Sequence, residues 1–255
     1  MVTKRVKYSC RTLIIATLLA VTICFITSPA VRATESDQKA KATAEAVQFG
    51  PAISTEEVQQ IIAGKRAPLL DVRSEKEYAI AHIPGSINIY EGEIDTISGR
   101  FPDKKGELVL YCNGPYCHKV KRVGEQLIKR GYTNFKRYQA GLPVWRAFGN
   151  TVQTDMLGFR YIFSGDKTAV FVDARSSEEF KAGTVPGAVN VQAGETEKAN
   201  TDGRLPYTDK GTRIIVFADR PERARIVAEE IAHTAFWNSS YFGGTFDELK
   251  QARLW

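Results

Sequence analysis

Short apolar runs alternate with an amphipathic helical pattern over residues 68–138. Four of these runs have the length and composition of buried strands: Leu69–Val72, Ile87–Ile89, Glu107–Tyr111 and Phe135–Tyr138. Between the last two runs, Lys119–Arg130 carries apolar side chains at helical spacing and stops at Gly131. Strands and helices that alternate through short links predict an α/β fold, in which a parallel sheet is covered by helices on both faces.

This pattern occurs twice in the chain. PLLDVRSEKEYAIAHIPGSINI (68–89) matches VFVDARSSEEFKAGTVPGAVNV (170–191), LVLYCNGPYCHK (108–119) matches IIVFADRPERAR (214–225), and AGLPVW (140–145) matches GGTFDE (243–248). The matched serines Ser74 and Ser176 are each followed three residues later by a glutamate, which predicts a capped helix start. Ordered matches of this kind predict a duplicated domain of roughly 100 residues, with copies at 51–149 and 150–255.

The first 33 residues have the pattern of a secretory signal peptide. Four positive residues precede an uncharged apolar run at 13–27, and cleavage is expected after Ala33. The run is shorter than the roughly 20 residues of a membrane-spanning helix. We therefore expect a periplasmic or otherwise extracytoplasmic protein; an uncleaved leader that anchors the chain to the membrane is the alternative. Residues 34–50 are polar and lack an apolar face, which predicts a flexible lead-in.

Removal of the leader changes both the charge and the cysteine content. The formal net charge is +6, and the leader holds five positive and no acidic residues, so the mature chain carries +1. Nucleic-acid binding therefore has no support, and membrane contact is expected only through the export signal. Cys10 and Cys24 leave with the leader, and Cys112 and Cys117 remain. Outside the cytoplasm, two such thiols either pair or form a working site.

Cys112 directly follows a predicted buried strand, and a Gly-Pro stretch then leads into the predicted helix. In parallel sheets, ligands gather beyond the carboxyl ends of the strands. A helix that starts near Cys117 or His118 directs free N–H groups and its positive end at this position, which favours a thiolate. The pattern predicts that Cys112 is a reactive nucleophile. A buried strand-end cysteine without chemical function is the alternative.

These residues resemble a tandem rhodanese-domain protein. The motifs that carry the resemblance are Asp71-x-Arg73, the HIPG-x-x-N stretch 82–88, the cysteine that ends an apolar strand, and the GLP-x-W stretch 141–145. The resemblance implies two α/β domains, each with a parallel sheet flanked by helices on both faces, and a loop cysteine that carries sulfane sulfur as a persulfide. It also implies a small sulfur donor and a thiol or cyanide-like acceptor, without a cofactor. The remaining cysteines and histidines show no metal-ligand spacing.

By this resemblance Cys112 is the catalytic residue, and the loop after it forms the substrate cradle: Asn113, Gly114, Pro115, Tyr116, Cys117 and His118. Main-chain N–H groups of such a loop stabilise a persulfide anion, and a glycine permits the positive φ of a tight cradle. Arg73 is expected to steady the site by pairing with Asp71. His82 is expected in a turn, and Trp145 in the packing of the domain end.

Three departures from the family pattern refine this expectation. Many family loops carry arginine where this chain has Cys117, which weakens the case for thiosulfate as donor. The second copy has Ala218 at the nucleophile position and Arg223 at the position of Cys117, so catalysis is expected in the first domain alone. The two cysteines could also close as a disulfide, and attack of Cys117 on a Cys112 persulfide would then release sulfide.

Three functions stay open on this basis. The first is an exported sulfurtransferase with a Cys112 persulfide. The second is a thiol-disulfide or persulfide redox protein that uses both cysteines and a protein redox or sulfur-relay partner. The third is a non-catalytic binding module. A cysteine phosphatase or arsenate reductase is excluded, because the sixth residue after Cys112 is His118 and not the arginine that clamps an oxyanion.

Overall fold

The computed structural model describes residues 37–41, 49–206, 208–234 and 236–255. The chain divides into two compact units, Met1–Lys41 and Ala42–Trp255, and every element named below lies in the second. Residues 37–41 are helical. The expected signal peptide, residues 1–33, lies outside the described residues. Within these ranges, no helix has both the length and the apolar character needed to cross a membrane.

The first domain has the predicted alternation of strands and helices. Its helices are α1 (Thr55–Gly64), α2 (Glu75–Ile80), α3 (Ile97–Arg100), α4 (Lys119–Lys129) and α5 (Gly141–Ala147), with a 3-10 helix at Glu91–Thr96. Its strands are β1 (Leu69–Asp71), β2 (Ile87–Asn88), β3 (Leu108–Tyr111) and β4 (Phe135–Tyr138). The ends of the predicted strands and of the predicted helix differ from these by no more than one residue.

The second domain repeats this order after one additional strand. Its strands are β5 (Val152–Thr154), β6 (Val170–Asp173), β7 (Val189–Asn190), β8 (Ile214–Phe217) and β9 (Ser239–Phe242). Its helices are α6 (Met156–Gly165), α7 (Ser177–Ala182), α8 (Thr196–Thr201), α9 (Pro221–His233) and α10 (Phe246–Gln251). The predicted capping boxes are confirmed, because Ser74 and Ser176 exchange hydrogen bonds with Glu77 and Glu179 at the starts of α2 and α7.

Both sheets are parallel and have the same strand order. The first runs β2-β1-β3-β4, and the second runs β7-β6-β8-β9 with β5 added beside β9. The predicted duplication and the α/β fold class are confirmed. Because parallel strands end at one edge of a sheet, the residues that follow β1 and β3 come together at the carboxyl edge.

Alternate residues of each strand supply the cores on the two faces of a sheet. In the first domain, Leu70 and Leu110 pack with α4, whereas Leu69 and Val109 pack with α1 and α5. Complete burial of such a side chain stabilises the fold by roughly 1.5–3 kcal/mol. Trp145 on α5 is 6 % exposed and donates its indole N–H to the carbonyl of Thr151, which confirms its expected packing role.

The expected flexible lead-in, residues 34–50, differs from the structure at its end. Phe49 is 2 % exposed, and the carbonyl of Gly50 accepts a hydrogen bond from the Nε of Arg137. The N–H of Ile53 and the carbonyl of Pro51 then pair with the main chain of Arg137, beside β4. The end of the segment is ordered because one aromatic ring is buried and the following residues pair with the sheet edge. The polar composition had predicted no such order.

The two domains meet where α2 crosses α6. At Gly158 on α6, a Cβ atom would lie only 1.9 Å from the carbonyl oxygen of Ala79 on α2. The same carbonyl accepts a hydrogen bond from the N–H of Asp155 at 3.0 Å, and the Thr154 hydroxyl donates to the carbonyl of Ile80 at 2.8 Å. The helices therefore approach at backbone distance, which only glycine permits at the crossing point.

His82 belongs to this junction and not to a turn as expected. Its main-chain N–H and carbonyl pair with Gln153 of the second domain in both directions, at 2.9 Å each. The turn follows at Pro84–Gly85, where Gly85 has a φ of +80°. His82 is buried, stacks on Tyr78 and donates from Nδ1 to the Tyr78 carbonyl. Burial lowers the pKa of His82 and outweighs the opposing effect of this hydrogen bond.

Candidate active site in the first domain

Cys112 lies at the carboxyl end of β3, beside the end of β1. Tyr111 pairs in register with Asp71, so the residue after Tyr111 meets the residues that follow β1. The Cys112 side chain is 1 % exposed and packs in the core beneath α4. Its sulfur is joined to that of Cys117 in a disulfide that spans 6.3 Å between Cα atoms. The strand end therefore presents a two-sulfur site.

No side chain caps the N-terminus of α4, the helix that follows the loop. His118 occupies the N-cap position of α4 and makes no side-chain capping bond. The first N–H groups of a helix have no partner within the helix, and its N-terminus carries partial positive charge. Both features favour a negative charge in the loop between β3 and α4, as the sequence predicts.

Gln139, directly after β4, and the first residues of α5 fix the main chain of the loop. The N–H of Leu142 donates to the carbonyl of Cys112 at 3.1 Å, and the side chain of Gln139 donates to the carbonyl of Pro115 at 3.0 Å. Gly141 has a φ of +65°, and a Cβ there would lie 2.3 Å from the Cys112 carbonyl oxygen and 2.4 Å from the Gly114 nitrogen. Gly114 itself has a φ of +111°, as expected for a tight cradle.

Arg73 connects the end of β1 to this loop. Its Nε and Nη2 hold the two carboxylate oxygens of Asp71 at 2.9 and 2.6 Å, and Nη2 also donates to the carbonyl of Ala81. The expected pairing of Arg73 with Asp71 is confirmed. Its remaining nitrogen, Nη1, donates to the Oδ1 of Asn113 at 3.2 Å. The buried ion pair thus positions the residue adjacent to Cys112.

Glu77 is a site residue that sequence reasoning assigned only to helix capping. Its carboxylate accepts from the Asn113 amide at 2.6 Å and from the Lys119 ammonium at 3.2 Å, besides the Ser74 hydroxyl. Burial alone would raise its pKa, but the hydrogen bonds from Ser74, Asn113 and Lys119 lower it to about 2. The only sequence signal was the capping box, which places this carboxylate at the same edge of the sheet as the loop.

Exposure varies sharply along the loop. Asn113, Pro115 and His118 are exposed, and Tyr116 at the tip is 93 % exposed. Gly114 is buried and Cys117 is half-buried. The Tyr116 ring therefore points to solvent and makes no cradle wall, contrary to its expected place in the cradle. Among the described residues, no three histidine, cysteine or acidic side chains group as a metal site.

The second domain keeps the frame of this site without its sulfur atoms. Arg175 holds Asp173 and the carbonyl of Gly183, as Arg73 holds Asp71 and Ala81. Ala218 is buried at the end of β8. Arg223, at the position of Cys117, lies 3.2 Å from Asp219 and 3.4 Å from Glu179. In the aligned sequence, a residue with two ion pairs therefore replaces Cys117.

Comparisons with known proteins agree with this architecture. A thiosulfate:glutathione sulfurtransferase of Saccharomyces cerevisiae is 32% identical over 112 residues, which cover 38% of this chain and 78% of the relative. An HTH-type transcriptional regulator of Mycobacterium tuberculosis is 34% identical over 83 residues, 32% of this chain. The match spans about a third of that regulator's length, 35%.

Among solved structures, a thiosulfate sulfurtransferase from Pseudomonas aeruginosa aligns with a TM-score of 0.37 at 22% identity, over 80% of this chain and 45% of that one. The family model of the rhodanese-like domain matches two segments, residues 54–148 and 163–252, which together make up most of the chain. The first segment contains the whole first sheet, and the second contains β6 to β9 of the second sheet. The chain therefore belongs to the rhodanese-like domain family and carries two of its domains in tandem.

Proposed function

We propose that this chain is an exported sulfurtransferase in which Cys112 carries sulfane sulfur as a persulfide. One observation carries the proposal: within a rhodanese-like domain, Cys112 directly follows a central parallel strand, and the loop after it leads to the uncapped start of α4. Helix N–H groups and the positive end of the helix dipole stabilise an anionic sulfur at such a position. The second domain, with Ala218 at the equivalent position, has a structural or binding role.

The loading step follows from ordinary thiolate chemistry. The Cys112 thiolate attacks the outer sulfur of a donor such as thiosulfate; a sulfur–sulfur bond forms on Cys112, the donor's own sulfur–sulfur bond breaks, and sulfite leaves with the electron pair. In the second step an acceptor thiolate takes the outer sulfur as its own persulfide, and Cys112 returns as a thiolate. The relative from Saccharomyces cerevisiae is named for thiosulfate and glutathione, which supports an anionic donor and a thiol acceptor here.

Thiosulfate is expected to be a poor donor for this chain. Cys117 stands where many family loops carry an arginine, and the nearby Lys119 is held by Glu77 at 3.2 Å. The loop therefore offers a weaker side-chain clamp for a doubly charged donor. Donors that bind through one negative charge, such as mercaptopyruvate, should load Cys112 at least as well.

The test is the intact mass of the reduced protein after incubation with each donor. Wild type should gain about 32 Da, one sulfur atom, and lose it again to an added thiol. Cys117→Ser is the matched control, because it keeps Cys112 and removes the competing sulfur. Cys112→Ser should stay unmodified with every donor. Equal sulfur uptake by Cys112→Ser and wild type would exclude the proposal.

A second candidate function is a thiol-disulfide redox protein, and the Cys112–Cys117 disulfide favours it. In that function both cysteines are required for turnover, whereas a sulfurtransferase requires Cys112 alone. Sulfur transfer from a donor to cyanide by Cys117→Ser separates the two. If Cys117→Ser retains transfer, the sulfurtransferase is supported. If Cys117→Ser loses transfer and wild type has thiol oxidase or reductase activity, the redox protein is supported.

Export is part of the proposal and has its support in the sequence of residues 1–33. Protein expressed from the full sequence should be recovered outside the cytoplasm with Thr34 as its first residue. Retention of Met1 in a membrane fraction would support the anchored alternative. Recovery of the unprocessed chain from the cytosol would exclude both.

A further inference from the structure

The two sulfur atoms of the disulfide differ in access. Cys112 is 1 % exposed and is enclosed by the core that Leu110 and Val120 share. Cys117 is half-buried and sits between the exposed residues Tyr116 and His118. It packs against the edge of the same core, and its N–H donates a hydrogen bond to the carbonyl of Gly114 at 3.0 Å. An external molecule therefore meets Cys117 at the surface of the loop, whereas Cys112 is sealed in the core.

We propose that the disulfide is opened from one side: an external small thiol attacks the Cys117 sulfur, and Cys112 leaves as the thiolate. The inference rests on the proposed function, for which it supplies the step that returns the oxidised site to its working state. Thiol-disulfide exchange requires access of the incoming thiolate to the sulfur under attack, and exchange is faster when the departing thiolate is better stabilised. The difference in burial selects attack at Cys117, and the start of α4 stabilises the thiolate that leaves.

The start of α4 stabilises the leaving thiolate. Cys112 directly follows β3, and α4 begins at Lys119; its N-cap residue His118 makes no side-chain capping bond, so the first N–H groups lack a side-chain acceptor. Partial positive charge at a helix N-terminus stabilises a nearby anion. The Leu142 N–H also fixes the Cys112 carbonyl, so the strand end stays in place when the sulfur–sulfur bond breaks.

Atoms and electrons balance over two steps. In the first, a thiolate forms a sulfur–sulfur bond with Cys117, the Cys112–Cys117 bond breaks, and the electron pair goes to Cys112. In the second, another thiolate attacks the small-thiol sulfur of the mixed disulfide and releases Cys117. Two small thiols are oxidised to their disulfide, and both cysteines are reduced.

The direction has a consequence for sulfur transfer. Cys112 is set free first, while Cys117 still carries the small thiol. Closure of the ring then requires the Cys112 thiolate to attack the Cys117 sulfur and expel the small thiol, which is the reverse of the opening step. Cys112 can therefore accept sulfane sulfur in competition with this reversal, before a second thiol has released Cys117.

The experiment uses oxidised wild-type protein with its natural loop. The protein is mixed with reduced glutathione and stopped after short times with excess N-ethylmaleimide, and the peptide 106–119 is sequenced by tandem mass spectrometry. We expect glutathione on Cys117 and the maleimide on Cys112, in at least tenfold excess over the reverse pattern. The reverse pattern, equal labelling, or the absence of any mixed disulfide would overturn the inference.

A denatured sample serves as the matched control, because the same chain then exposes both sulfur atoms. In the denatured sample, the excess of glutathione on Cys117 over Cys112 should fall to less than about twofold. This result would show that the fold, and not the local sequence, decides which sulfur is attacked. The outcome is independent of sulfur loading. If Cys112 never gains 32 Da but glutathione is still found on Cys117, the proposed function fails and the inference stands. If Cys112 gains 32 Da but glutathione is found on Cys112, the proposed function stands and the inference fails.

Discussion

Arg73 donates a hydrogen bond from Nη1 to the Oδ1 of Asn113, 3.2 Å away, while its other nitrogens hold Asp71. Asn113 in turn donates to Glu77 at 2.6 Å. The Asn113 amide therefore accepts a hydrogen bond from a cation through its oxygen and donates one to a carboxylate through its nitrogen. No charged residue of similar size can do both. In the second domain the equivalent residue is Asp219, which pairs with Arg223 instead.

Asn113→Asp should disturb the loop of the first domain. The new carboxylate faces Glu77, so one hydrogen bond is lost and a like-charge contact is gained. We expect sulfur transfer to slow about fivefold, since a hydrogen bond contributes about 1 kcal/mol. Steady-state kinetics measures the effect. The matched control is Asp219→Asn in the second domain, which should leave transfer unchanged; a loss as large as that of Asn113→Asp would contradict a role confined to the first loop.

Gly141→Ala should distort the cradle from beneath. The backbone at Gly141 has a φ of +65°, and a Cβ would meet the Cys112 carbonyl and the Gly114 nitrogen. A side chain in this conformation is strained by roughly 1–3 kcal/mol before the clash is counted. We expect at least a tenfold loss of sulfur transfer, with correct folding followed by circular dichroism.

The control for backbone strain is Gly131→Ala. Gly131 has a φ of +85°, but a Cβ there would meet only the Lys104 side chain at 3.6 Å. This variant should lose stability of roughly 1 kcal/mol and keep the transfer rate of the folded protein. If both variants lose activity in proportion to stability, Gly141 has no special effect on the loop.

Gly158→Ala should weaken the junction between the domains. A methyl group at this position overlaps the Ala79 carbonyl on α2, so the helices must separate. Overpacking of this kind costs roughly 1–3 kcal/mol. Thermal unfolding should begin at a lower temperature than in wild type. Gly165→Ala on the same helix has no atom within 4 Å of the added carbon and should leave the midpoint equal or higher.

His82 should make the junction sensitive to acid. Burial lowers the pKa of His82 below its ordinary value of 6.5, so the unfolded chain binds this proton more readily than the folded chain. The contribution of His82 to the free energy of unfolding should therefore be constant above about pH 6.5 and should decrease as the pH falls below that value. His82→Gln should remove that part of the pH dependence. Urea unfolding of both proteins between pH 5 and 8 measures it, and parallel curves over this range would contradict the assignment.

Local patterns predicted the frame of the site well. The strand ends, the capping boxes and the Asp71–Arg73 pair follow from residues a few positions apart, and the repeat shows each of them twice. The additional bonds of Glu77 to Asn113 and Lys119 were not predicted, because they join segments 36 and 42 positions apart. His82 was placed in a turn for the same reason: its partner, Gln153, lies in the other domain.

The sequence by itself determined the two α/β domains, the place of Cys112 at a strand end and the absence of a cysteine at the equivalent position of the second copy. Periodicity, capping and hydrogen bonding over short distances encode these features. Only the tertiary structure decided which cysteine is buried and which is half-buried, and how the domains join. Burial depends on side chains from distant segments that pack around a residue, and no local pattern records their arrangement.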